Sequence, residues 1–101
     1  MYEILIVGGG PAGLTAAIYA ARAGKHVAVL ERGSTGGQII SAPLVENYPG
    51  IPSASGTELA RQMTEQACSF GAEIVYTEAV GLEKTPAGFR VLCMAGVREA
   101  K

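Results

Sequence analysis

Near its start the chain passes from four apolar residues straight into a glycine-rich turn, Ile4-Leu5-Ile6-Val7 followed by Gly8-Gly9-Gly10-Pro11-Ala12-Gly13. A short continuous run of β-favouring residues ended by glycine is expected for a strand buried on both faces. The next twelve residues, PAGLTAAIYAAR at 11–22, are small or helix-forming. Pro11 suits the first helical position because its φ is preset and its missing N–H has no partner there. Gly24 stands where a helix would end in a left-handed residue. A second apolar run, Val-Ala-Val-Leu, occupies 27–30. Strand, helix and strand in about thirty residues predict two buried parallel strands joined by a right-handed crossover. Ala16, Ala17, Ala20 and Ala21 are expected to keep the helix slim where it lies on the sheet.

Within that frame each glycine has a mechanical duty. Gly8 permits the tight turn, Gly10 removes a Cβ so that a pyrophosphate can reach the backbone, and Gly13 lets the helix approach the strand. The helix N-terminus offers unpaired N–H groups and the positive end of its dipole to phosphates. Glu31 closes the second strand 18 positions after Gly13, near the spacing at which a carboxylate accepts hydrogen bonds from the ribose of a bound dinucleotide. Its charge disfavours a 2′-phosphate at the same place. A lone glycine motif is weak, but strand, helix and acid in register make a dinucleotide site the expected reading.

The stretch from 33 to 55 distinguishes one dinucleotide from another. It carries TGGQI, ENYPG and three prolines, Pro43, Pro49 and Pro52. An irregular segment of this length in a compact domain is usually functional or disordered. Placed beyond the ribose end of the site, it can wrap a bulky flat ring system, which favours FAD over NAD. Two adjacent glycines, Gly36 and Gly37, are expected to let backbone amides approach that ring. The side chains of Gln38 and Asn47 each offer a donor and an acceptor.

Beyond the loop, Ser55 and Glu58 form a capping-box pattern. Leu59, Met63, Ala67 and Phe70 share one helical face ending at Gly71, and 73–77 reads as a third parallel strand. The remainder alternates, with turns expected at Pro86-Ala87-Gly88 and Ala95-Gly96, the pattern of an antiparallel meander. In it Cys93 is expected to pack beside its apolar neighbours.

Composition excludes several classes. The 101 residues are 49% hydrophobic with a net charge of −1, so one globular domain is expected and neither nucleic acid nor an anionic membrane is a predicted partner. The apolar start lacks a basic flank and reads as a strand rather than a targeting segment. Cys68 and Cys93 lie 25 positions apart, without metal-ligand or Cys-x-x-Cys spacing. They are expected to be reduced, packed thiols of a cytoplasmic protein. His26 has no carboxylate placed beside it in sequence and reads as a surface histidine. No side chain is assigned a catalytic role, and no metal site is expected.

Taken together, IVGGGPAGLTAAIYAARAG, LERGSTGGQI, VENYPG and GTELARQMTEQACSFGAEIV resemble the N-terminal FAD-binding region of low-molecular-weight thioredoxin reductases. Similar proteins include the flavoprotein subunit of alkyl hydroperoxide reductase and ferredoxin–NADP reductases of the same type. The resemblance implies an α/β, Rossmann-like three-layer FAD/NAD(P)-binding fold, with a parallel sheet and an antiparallel meander, over 1–101. It implies that Gly8, Gly10, Pro11, Ala12 and Gly13 line the pyrophosphate, and that Glu31 and Arg32 lie at the ribose. Gly37, Gln38, Ile39 and Asn47 would face the flavin, and the backbone near Ala79 and Val80 the adenine. It further implies NADPH as electron donor, a thioredoxin-like protein as acceptor and a homodimer. The family's redox Cys-x-x-Cys, its NADPH domain and the last parallel strand are not among these residues, so this stretch alone is expected to be inactive and to leave Ile4–Val7, beside which that strand would sit, as an open apolar edge. A ferredoxin-type acceptor, or a nucleotide-binding or oligomerising module without turnover, are the alternatives.

Overall fold

The computed structural model describes residues 1–94 and 96–101. In chain order it carries β1 (Ile4–Val7), α1 (Pro11–Arg22), β2 (Val27–Glu31), a short 3₁₀ helix (Gly37–Ser41), α2 (Gly56–Ser69), β3 (Glu73–Tyr76), β4 (Ala79–Thr85), β5 (Gly88–Cys93) and β6 (Gly96–Ala100). β1, β2 and β3 make a parallel sheet in that order, with Val29 beside both Ile6 and Ile74. β4, β5 and β6 make a separate antiparallel sheet, Glu83 facing Arg90 and Leu92 facing Val97.

The local signals act as the residues dictate. Pro11 opens α1, and the chain leaves it through Gly24 at φ +80°. Ser55 caps α2 by accepting the Glu58 amide at 3.1 Å. The reciprocal half of the capping box is not made: the Glu58 carboxylate turns outward to Arg61 and Gln62. Ala17, Ala21, Val27, Val29, Ala67 and Ala72 form one core cluster, where alanines let α1 and α2 lie close to the strands. Leu14, Leu59 and Met63 form the second.

Several expectations need correction. β1 is not buried on both faces: Val7 is 64% exposed and Ile4 is also open. It is a sheet edge, whereas β2 has a strand on each side and is buried along Val27–Leu30. At the base of that edge Tyr2 pairs with Ala100 in parallel, its amide donating to the Glu99 carbonyl at 3.1 Å. Higher up, Leu5 and Val7 wall an apolar groove of about 420 Å³ with Leu82, Phe89 and Val91. Ala16 is exposed, because it points away from the face that Ala17 and Ala21 bury. Phe70 is exposed at the end of α2, with the Arg22 guanidinium 5.7 Å from its ring centre. Cys68 is free but exposed rather than packed, while Cys93 is free and half-buried. The expected Ala-Gly turn includes Ala95, which lies outside the described residues.

Candidate nucleotide site

The turn after β1 is built from the sheet outward. Gly8 has φ +104°, and its amide donates to the Leu30 carbonyl at 2.9 Å, so the chain is held to β2 as it reverses. A Cβ on Gly13 would collide with the Gly8 carbonyl oxygen, which sets the first turn of α1 tightly on this loop. Around Gly10 nothing stands within 4 Å of where a Cβ would be. α1 has no side-chain cap and no acidic residue in its first turn. Pro11 has no N–H, and the Leu14 amide is bonded to the Gly10 carbonyl at 2.9 Å. The Ala12 and Gly13 amides therefore remain for an anion at the positive end of the helix.

Glu31 closes β2 half-buried, with both carboxylate oxygens engaged. Oε1 accepts the Gly9 amide at 2.8 Å and Oε2 the Gly33 amide at 2.6 Å. Sequence reasoning placed only ribose hydroxyls here; the chain's own amides are the partners it missed. Each oxygen keeps further acceptor capacity for a ligand. Beside it opens a cleft of about 210 Å³ lined by Gly8, Glu31, Arg32, Thr77, Glu78 and Ala79 among others. Arg32 is exposed, 3.9 Å from Glu78. Thr77 was not singled out from sequence. Its amide continues the ladder to the Glu31 carbonyl at 3.0 Å, while its buried Oγ1 has no hydrogen-bond partner among the described residues. The open Gly10 and the uncapped helix end suit the phosphates of an adenine dinucleotide.

The Gly-Gly-Gln segment packs closely against its own chain. Gly36 is buried, and the space freed by its missing Cβ is taken by Ala60 of α2 and Ile40. Gly37, at φ +59°, lies against Gly10, whose Cα would be 3.3 Å from a Cβ there. The glycine pair thus admits a helix and the phosphate turn. The Ile39 side chain packs on the core formed by Leu14, Leu59 and Met63. Gln38 and Asn47 are exposed, and neither side-chain amide is bonded among the described residues. The segment is not irregular throughout: the 3₁₀ helix is followed by bridges from Val45 to Ala54 and from Tyr48 to Ile51. Gly8, Gly10, Pro11, Ala12, Gly13, Glu31 and Gly37 are brought together around the turn, and Asn47 lies on the second limb of the loop.

A larger hollow of about 480 Å³ lies on the outer side of the loop, between Ser34, Thr35 and α2. Arg61, the cation there, is committed to Glu58 and Glu65, so the hollow offers no free charge for a ligand. His26 does have a carboxylate partner, contrary to expectation: Nε2 is 3.2 Å from Glu73 Oε1, and the Tyr2 hydroxyl donates to Glu73 Oε2 at 2.7 Å. These groups join the starts of the strands, at the end of the sheet opposite the cleft. Among the described residues no group of three acidic, histidine or cysteine side chains could hold a metal, and no helix is long and apolar enough to cross a membrane.

Comparison with known proteins shows the family and the fold. The family described as FAD dependent oxidoreductase matches residues 3–87. A thioredoxin reductase of Bacillus subtilis is 49% identical over 76 residues, covering 75% of this chain and 24% of its own. The crystal structure of thioredoxin reductase from Streptococcus pyogenes matches with a TM-score of 0.96 at 44% identity, over 100% of this chain and 33% of that one. The thioredoxin reductase of Lactococcus lactis matches with a TM-score of 0.95 at 36% identity, again over 100% and 33%. The chain spans between 24% and 33% of the length of these relatives.

Proposed function

The chain belongs to the FAD-dependent oxidoreductase family, and from that membership we propose that it is the FAD-binding part of an NADPH-dependent disulfide reductase of the thioredoxin reductase kind. Its fold is the Rossmann-like FAD/NAD(P)-binding fold of that family. The observation that carries the proposal is the open side of Gly10 before an uncapped helix end, with Glu31 closing the neighbouring strand at the cleft.

In this reading the Ala12 and Gly13 amides hold the pyrophosphate, with Gly8, Gly10 and Pro11 leaving it room. Glu31 and Arg32 serve the ribose, and the backbone at Ala79 and Val80 the adenine. Gly37, Gln38, Ile39 and Asn47 serve the flavin half. FAD, when bound, supplies the two-electron chemistry between a nicotinamide and a disulfide; these residues bind and orient it. NADPH as donor, a thioredoxin-like protein as acceptor, a homodimer and a cytoplasmic setting complete the proposal. The named relatives support the disulfide reductase reading, and the two free thiols suit a reducing setting.

Titration calorimetry with ADP and FAD tests this reading. The 101-residue chain should bind both weakly and reversibly, without NADPH bleaching the flavin absorbance. Glu31→Ala should weaken ADP by about 1–3 kcal/mol, the scale of hydrogen bonds to a charged acceptor. An unchanged affinity removes Glu31 from the site, and a chain that binds neither ligand overturns the proposal.

A further inference from the structure

We propose that Gly36 is a positioning residue for the phosphate turn, holding the Gly9 peptide so that Gly10 keeps its open side toward a diphosphate. This rests on the nucleotide-site reading above. Gly9 is buried and its peptide groups are gripped from two directions: its amide donates to Glu31 Oε1 at 2.8 Å, and its carbonyl accepts the Gly36 amide at 2.6 Å. The second grip comes from a residue that lies outside the glycine motif of the turn.

Gly36 is itself held from behind. It sits at φ +103°, and a Cβ there would collide with the Ala60 Cβ and stand 2.8 Å from Ile40 Cγ2. One turn earlier in α2, the Ile39 carbonyl occupies the space that a Cβ on Gly56 would need, and the Gly56 amide donates to the Ala42 carbonyl at 2.9 Å. Small residues on α2 therefore seat the loop, and the loop seats the turn. A diphosphate requires several N–H groups aimed at one place before it arrives. Releasing the Gly9 carbonyl loosens that aim, while the nucleoside end keeps the cleft walls at Thr77 and Ala79.

The test compares ADP with adenosine, titrated into the 101-residue chain and followed by amide NMR. Gly36→Ala should weaken ADP about tenfold, the scale of one net hydrogen bond, and leave adenosine within about twofold. Adding Ala60→Gly, which removes the collision with the Ala60 Cβ, should recover part of the ADP loss. Leu44→Ala, at an exposed position of the same loop, leaves the grip intact and should keep the ADP affinity. Equal losses for both ligands, or none, overturn the proposal. A wild-type chain that binds no ADP overturns the nucleotide-site reading itself. If Gly36→Ala does not fold, hydrogen exchange at the wild-type Gly36 amide decides: slowing with ADP but not adenosine supports the grip, and no difference overturns it.

Discussion

Leu14 of α1 and Leu82 of β4 are the same side chain in two settings: the first is fully buried and the second 68% exposed. The contrast holds for the regions around them. In the parallel half, Leu14, Val27, Val29 and Leu59 are enclosed by helices and neighbouring strands. In the meander Val91 and Ala100 are buried, whereas Val80, Phe89, Met94 and Val97 remain open. Antiparallel strands joined by tight turns pair through local hydrogen bonds and can form with one face uncovered. Parallel strands need a crossover helix that covers them. Burial, and with it stability, is therefore concentrated in the parallel half.

The sharpest way to break the comparison is to truncate the two leucines. Leu14→Ala should cost about 2–5 kcal/mol in urea unfolding, through lost transfer energy and a residual cavity. Leu82→Ala should stay within about 0.5 kcal/mol, as for an open surface position. Equal losses would mean that the meander is as enclosed as the sheet.

Two glycines of the phosphate turn sharpen it further. Gly13→Ala drives a Cβ into the Gly8 carbonyl and should cost about 1–3 kcal/mol of stability. Gly10→Ala meets open space at φ −76°, so stability should hold within about 0.5 kcal/mol while ADP affinity falls. Paired thermal melts and ADP titrations separate the two. Loss of stability in Gly10→Ala would show that the open side is part of the packing.

The smallest effect is electrostatic and belongs to the exposed face of α2. Hydrogen bonds from the Arg61 guanidinium, then from the Gln62 amide, hold Glu58 at about 2, below its ordinary 4.5. Because the folded value is depressed, the contribution is present above 4.5 and is lost as pH falls toward 2. The groups are exposed, so solvent screening keeps the effect small. Melting temperatures between pH 5 and pH 2 should fall slightly less in Glu58→Gln than in the wild type; identical slopes would remove Glu58 as the source.

The β1–α1–β2 unit was legible because its signals are local. An apolar run, glycines at a fixed spacing, a proline at the first helical position and an acid at the end of the next run each act over a few neighbours. The Ser55 cap and the Leu59–Met63–Ala67 stripe belong to the same class. Phe70 continues that stripe in sequence yet lies exposed where the helix has ended.

Other features depended on residues distant in the chain. That the edge of β1 is closed at its base by Tyr2 pairing with Ala100 follows from where the meander ends. That Glu31 first serves the Gly9 and Gly33 amides follows from the fold of the turn around it. Thr77 gained its place at the cleft only when β3 docked beside β2. The meaning of Gly36 required both Gly9 and Ala60 to arrive at it. Composition and spacing determine which short elements form and which residue types can serve a nucleotide. Which face is covered, and which amide meets which oxygen, depend on long-range packing, since a hydrogen bond or a Cβ collision exists only once two distant backbones share a place.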